Sequence, residues 1–258
     1  MKKIFFSSAL VALIFFSACK KSSIEPTQKP ELKGGVLLFD EGNGFASKSG
    51  MTVSIENSSP VISAVTDSSG NFTLPLDPSL HSFALVYTKP GFGTFKRYYM
   101  RDASNKIYYV DNNSPYQTEN ASESLGSKST VTINSFSASI IGDALRLTSN
   151  ISSPNASGEK YIRILYQKDL PGISINTVDK TKTNWSHLLP VTNGDNSFDV
   201  CLACSTICAD WKPGDKIYLA AYGDSFYSNM YQDQTISKII LPNLNPNTHV
   251  APVSIIVP

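Results

Sequence analysis

The sequence predicts an all-β protein, with two β-sandwich domains joined by a polar linker behind an N-terminal export segment. Three observations carry that prediction. Apolar residues recur at every second position in short runs, as in Met51, Val53 and Ile55, then Phe72, Leu74 and Leu76, then Phe83, Leu85 and Tyr87. That is the period of half-buried strands. The runs are separated by turn-forming clusters such as Gly42-Asn43-Gly44, Asn57-Ser58-Ser59-Pro60 and Asp67-Ser68-Ser69-Gly70. The 258 residues are 41% hydrophobic, enough for two packed cores, and long runs of helix formers are absent. Charged residues make up 17% and the formal net charge is +1, which removes any electrostatic basis for a nucleic-acid partner.

Lys2 and Lys3 precede an apolar run from Ile4 to Phe16, interrupted by Ser7 and Ser8. The run is short for a bilayer span and has the length of the core of a signal peptide. Ser17-Ala18-Cys19 follows, and small residues before a cysteine at this place resemble the lipobox of bacterial lipoproteins. The resemblance implies a signal peptide over 1–18 and a lipidated Cys19 as first residue of the mature chain. It also implies a lipid-anchored protein of the cell envelope, in the outer membrane. Two or more acyl chains hold such a protein stably, at ~0.8 kcal/mol per buried methylene. Residues 19–31 contain Ser22, Ser23, Pro26, Gln28 and Pro30 without apolar periodicity, and read as a stalk. Lys20-Lys21-Ser22-Ser23 lacks the acidic patch that sends some lipoproteins to the cell surface, so both the periplasmic and the surface face stay open.

The first domain is expected over 32–112, with strands at Gly35–Phe39, Met51–Glu56, Val61–Thr66, Asn71–Leu76, Ser82–Tyr87, Thr94–Met100 and Ile107–Val110. Thr66 to Leu74 reads as a hairpin. Asp67 is placed to accept backbone hydrogen bonds within the turn, and Gly70 to take the positive φ that closes it. The Gly35-Val36 strand with Asp40, the alternation of Met51 to Ile55, this turn and the ending Tyr87-Thr88-Lys89-Pro90-Gly91-Phe92 resemble a carboxypeptidase regulatory-like domain. The resemblance implies a transthyretin-like, seven-stranded sandwich, found in members that are often non-catalytic accessory modules. The residues give no support to catalysis. The three histidines, His81, His187 and His249, sit in no His-x-x-Glu pair, and no glycine-elbow serine motif occurs.

Residues 113–128, rich in Ser, Asn and Glu, read as a linker. The second domain is expected over 129–258. Its first strands carry Val131, Ile133 and Phe136, then Leu145, Leu147 and Ile151. Tyr161 to Tyr166 reads as a central strand, and Phe198, Val200 and Leu202 share one face of another. Trp211-Lys212-Pro213-Gly214, entering Ile217 to Tyr222, resembles the corner of fibronectin type III and immunoglobulin-like domains. The resemblance implies a second sandwich, with Ile217 where that family has its corner tyrosine. Val253, Ile255 and Val257 alternate in a closing edge strand.

Cys201, Cys204 and Cys208 form a tight cluster. In an oxidising compartment one disulfide among them is the expectation, with the pairing open and one thiol left over. A metal would require a fourth ligand from Asp199, Asp210 or His187, and no metal or cofactor is expected. Aromatic residues are numerous, among them Tyr98, Tyr99, Tyr108, Tyr109, Phe226, Tyr227 and Tyr231. Trp185, Tyr227 and Tyr231 are the candidate ligand-stacking residues, on condition that they converge on one exposed face. The leading functional reading is a non-catalytic, lipid-anchored binding or assembly module, with envelope proteins or glycans as partners. The alternatives are an accessory glycan-binding lipoprotein of an outer-membrane uptake system and, third, a peptidase or other hydrolase.

Overall fold

The computed structural model describes residues 30–111, 114–118, 120–154, 158–180, 185–191, 197–203, 210–247 and 250–258. The described residues contain strands and turns only, and the fold is all-β. In the first sandwich the strands are β1 (Glu31–Phe39), β2 (Thr52–Ile55), β3 (Ser63–Val65), β4 (Asn71–Pro75), β5 (Ser82–Thr88), β6 (Phe95–Arg101), β7 (Ile107–Asp111), β8 (Ser114–Thr118) and β9 (Ala121–Gly126). They form a three-stranded sheet of order β4-β1-β9 and a six-stranded sheet of order β3-β2-β5-β6-β7-β8. The second sandwich follows with β10 (Thr132–Ile141), β11 (Ala144–Ser152), β12 (Lys160–Lys168), β13 (Ser186–Val191), β14 (Ser197–Ala203), β15 (Lys216–Asp224), β16 (Tyr231–Asp233), β17 (Lys238–Ile240) and β18 (Val253–Ile256). Its sheets run β10-β11-β14 and β13-β12-β15-β18, with β16-β17 as a separate ribbon.

Alternation explains the first core. Leu32, Val36 and Leu38 of β1, Val53 and Ile55 of β2, Phe72 and Leu74 of β4 and Phe83, Leu85 and Tyr87 of β5 are all buried together. The expected turn is present, but it does not close a hairpin. β3 pairs with β2 while β4 pairs with β1, so Asp67 to Gly70 carries the chain from one sheet to the other. Asp67 Oδ1 accepts the N–H groups of Ser69 at 2.8 Å and Asn71 at 2.9 Å. Gly70 has φ +87°, and its carbonyl accepts the Val36 N–H at 2.9 Å. A Cβ on Gly70 would stand 2.5 Å from the Val36 carbonyl oxygen. Gly70→Val is therefore expected to cost about 2 kcal/mol through backbone strain and this collision, read as a lowered denaturation midpoint. An unchanged midpoint would remove the corner from the list of stabilising features.

The segment expected to be a linker is built into the first sandwich. β8 continues the six-stranded sheet beside β7, and β9 runs parallel to β1 with Leu125 opposite Leu38. Ala121 and Leu125 are buried, Glu123 is also directed inward, and Ser122 and Ser124 alternate with them. The inward glutamate breaks the apolar period, which is why the stretch resembles a loop in sequence.

In the second sandwich, Ile133, Leu145, Leu147, Ile162, Ile164, Ile217 and Leu219 fill the space between the sheets. β12 is central, as expected, and both its faces are covered. On its outer face Leu165 packs with Ile173, Val178, Trp185, Ala220, Tyr222, Leu241 and Leu244. β18 pairs with β15 as an edge strand.

The two sandwiches are joined through buried polar groups. Asn243 is 1% exposed. Its Nδ2 donates to the carbonyls of Gly126 at 2.6 Å and Ser127 at 3.1 Å, and its Oδ1 accepts the Asn229 N–H at 2.6 Å. Asn229 in turn donates to the Ser124 carbonyl and accepts the Gly126 N–H, both at 2.8 Å. Glu41 accepts Thr130 N–H at 2.6 Å, and its carbonyl accepts Phe226 N–H at 2.9 Å. Lys96 bridges Glu56 at 2.5 Å and Asp233 at 2.9 Å.

Candidate functional site

A cleft of about 380 Å³ opens beside β9, lined by Arg97, Tyr99, Tyr109, Asn120, Glu123 and Tyr227 with flanking hydroxyl residues. Strand geometry sets each side chain. Phe95, Arg97, Tyr99 and Arg101 are alternate residues of β6, so all four share the face toward β9. Glu123 projects from β9 into the same space, and its side chain is 9% exposed against 23% for Arg97. The two make a bidentate pair, Nε to Oε1 at 2.7 Å and Nη2 to Oε2 at 3.0 Å. Such fork-to-fork pairing fixes both planes. The Arg97 guanidinium also lies 5.3 Å from the ring centroid of Phe95 and 5.5 Å from that of Tyr109. The Tyr99 hydroxyl reaches Glu123 Oε1 at 3.5 Å. Burial, reinforced by the Glu123 charge, pushes the Tyr99 phenol well above its ordinary range, so it is a neutral donor at any physiological pH.

Aromatic rings join this polar centre in the cleft lining. Tyr109 stacks on Tyr116 with centroids 5.2 Å apart, because β7 and β8 place them directly opposite. Tyr227 comes from the second sandwich and stacks on Phe39 at 4.8 Å with ring planes 4° apart. Phe39 also contacts Phe45 at 5.3 Å and Phe226 at 6.1 Å, and Phe45 is 73% exposed. A patch of accessible rings therefore continues from the cleft along the junction of the two sandwiches.

Of the three stacking candidates read from sequence, Tyr227 alone lines the cleft. Trp185 is buried on the outer face of the second sandwich among Leu165, Tyr222, Leu241 and Leu244, so it offers no ring to a ligand. Tyr231 is half-buried and packs edge-on against Phe95 at 5.5 Å. The three do not converge, because sequence proximity to other aromatics says nothing about which face of which sheet a residue joins. Arg97, Glu123 and Asn120 were missed. Glu123 and Asn120 lie in the presumed linker, and the alternation of Ala121, Glu123 and Leu125 is the signal that was available. Cys201 on β14 is a free, exposed thiol. Cys19, Cys204 and Cys208 lie outside the described residues. Among the proposed metal ligands, the Asp199 carboxylate is held by Arg146, Nε to Oδ1 at 2.9 Å, on the exposed face of the three-stranded sheet. His187 is placed on β13, with its imidazole pushed toward the neutral form by burial and by the Arg163 charge.

No protein-family model matches the chain, and no curated protein matches it. Among solved structures it is similar to a "putative carbohydrate binding protein" from Bacteroides uniformis, at 11% identity over 89% of this chain and 99% of that one, with a TM-score of 0.31. Two DUF3823 family proteins are also similar. The one from Parabacteroides merdae is 14% identical over 75% of this chain and 90% of that one, TM-score 0.26. The one from Bacteroides ovatus is 15% identical over 77% and 92%, TM-score 0.28. At these identities and scores none carries an argument about ligand, which rests on the side chains described above.

Proposed function

We propose that this chain is a non-catalytic binding protein of the cell envelope, anchored by lipid at Cys19, whose ligand is a glycan received in the cleft lined by Tyr109 and Tyr227. The observation that carries the reading is the pairing of stacking rings with fixed planar polar groups. Sugar rings present apolar C–H faces and a rim of hydroxyls, and such a ligand is met by aromatic faces and by bidentate donors and acceptors of set orientation. Tyr109 and Tyr227 are the faces; Arg97, Glu123 and Asn120 are the rim partners. The likeness of the first sandwich sequence to carboxypeptidase regulatory-like modules agrees with an accessory role. Glycoside cleavage uses two carboxyl groups across the scissile bond, whereas among the described residues the cleft is lined by one carboxylate, Glu123, which is engaged by Arg97. Phe45 and Phe226, exposed beside the cleft, favour a second reading in which an envelope protein docks on the same edge.

Calorimetric titration of the purified chain with a panel of neutral and acidic oligosaccharides tests this. Tyr109→Ala and Tyr227→Ala should each weaken binding about tenfold, the ~1.4 kcal/mol typical of one stacking contact, measured below the unfolding transition of each variant, since both rings also pack within the protein. Full affinity in both variants would place the ligand elsewhere. The anchor is tested separately. Cys19→Ala should abolish lipid labelling and move the protein out of the membrane fraction, and a mutant that stays labelled would overturn the lipobox reading.

A further inference from the structure

A second concavity, of about 460 Å³, lies on the second sandwich away from the cleft. One wall is Asn176, Val178, Asp179 and Lys180, from the segment that covers the outer face of β12 and β15; the other is Gln232, Ser237, Lys238 and Ile239, from the β16–β17 ribbon. Val178 is buried in the apolar layer beneath, so the first wall is anchored. Ser237 sits at the tip of the ribbon with φ +53°, which fixes the turn that presents Lys238. Two elements almost sixty residues apart thus bring two ammonium groups to one hollow.

We propose that this concavity is a binding site for an oxyanion, a carboxylate, sulfate or phosphate group, held by Lys180 and Lys238 with the Asn176 and Gln232 amides and the Ser237 hydroxyl as further donors. The Lys180 ammonium donates to the Ile239 carbonyl at 2.6 Å, a contact that orients the group without neutralising it. Burial, and then the neighbouring Lys238 charge, make the protonated form of Lys180 harder to keep. Like charges held together with partial loss of water are unfavourable for the chain by itself. An oxyanion between them reverses the sign of both effects, since it accepts from the ammonium groups and screens one from the other. The lining includes one carboxylate, Asp179, which is engaged in an interaction of its own and whose N–H donates to Gln167 Oε1 at 2.7 Å. Among the described lining residues two cations stand against one anion, which leaves the hollow positive. The site shares no lining residue with the cleft, and its failure would leave the glycan reading of the cleft intact.

The test uses the purified chain titrated with sulfate, phosphate and glucuronate, with glucose as the neutral control and ionic strength held constant by sodium chloride. Saturable binding of at least one oxyanion, absent for glucose, is expected. Lys238→Glu should weaken it about tenfold, because the exposed charge is reversed rather than removed. Lys180→Gln should weaken it further, and since Lys180 also ties the ribbon, the exposed Lys238 variant keeps the test valid if the Lys180 variant is unstable. Binding of glucuronate would identify the group as one borne on an acidic saccharide, and binding of the inorganic ions alone would identify a free oxyanion; both support the site. No saturable binding, or equal affinity in wild type and Lys238→Glu, overturns it.

Discussion

Arg163→Ala should lower stability by ~3–5 kcal/mol, the loss expected when one partner of a buried ion pair is removed. Asp224 is fully buried, at 0% exposure, and Arg163 Nε donates to its Oδ2 at 2.7 Å. The remaining acceptor positions of the carboxylate are taken by Ser225 N–H at 2.8 Å and the Ser228 hydroxyl at 2.7 Å. The guanidinium also donates to the hydroxyls of Ser186 at 2.9 Å and Ser228 at 3.0 Å. Without Arg163 a carboxylate would stay in the interior with neutral donors only. For a chain of this size the loss corresponds to a fall of about 10 °C in melting temperature. The double variant Arg163→Met, Asp224→Asn removes both charges and should recover most of it, since the cost lies in the orphaned charge rather than in the missing bond. A double variant as unstable as Arg163→Ala would show that the arginine acts through packing instead. The pair also has a functional consequence. Asp224 and Ser228 bracket the segment that bears Phe226 and Tyr227, so Arg163→Ala should weaken cleft binding without touching a cleft residue.

Asn243→Ala should have the second largest effect, ~3 kcal/mol, concentrated at the junction. The substitution strips the partner from the Gly126 carbonyl and the Asn229 N–H and leaves the Ser127 carbonyl with the Ser225 hydroxyl alone, and each buried backbone group left unsatisfied costs ~1–3 kcal/mol. The backbones are already close here. A Cβ on Gly126 would lie 2.1 Å from the Tyr227 carbonyl oxygen, and one on Gly93 would lie 2.0 Å from that of Pro242. There is little room for water to replace the lost amide. The expected signature is a single unfolding transition in the wild type that separates into two in the variant, with new proteolytic cleavage near residues 124–130. One unchanged transition would mean that Glu41, Lys96 and the remaining contacts hold the sandwiches together without Asn243.

How legible this protein is in its sequence depends on what each residue does with its neighbours. Where a strand buries an apolar side chain at every second position, the pattern is local and the strand is readable. All seven expected strands of the first sandwich are present, and in the second the strands through Ile133, Leu147, Ile164, Val200, Leu219 and Ile255 are too. Gly70 was equally readable, because a turn needs its positive φ whatever surrounds it.

Sheet membership was not local. Thr66 to Leu74 looks the same whether its strands pair with each other or with β2 and β1, and only the packed core selected the second arrangement. The cleft was hidden for a related reason. β9 carries an inward glutamate, which is affordable only because Arg97, from a strand of the opposite sheet, meets it with both nitrogens. Its hydrophobic period is therefore broken in the chain and completed in space. Trp185 is the converse case, a residue in a polar stretch of sequence that the outer face of β12 buries. The sequence by itself determined the class of fold, the positions of most strands and the turns that require glycine, since those depend on a residue and its immediate neighbours. Tertiary structure decided which strands share a sheet, which polar residues face inward and which aromatic rings remain accessible, because those depend on partners some 25 to 190 residues away, from Arg97 and Glu123 to Phe39 and Tyr227.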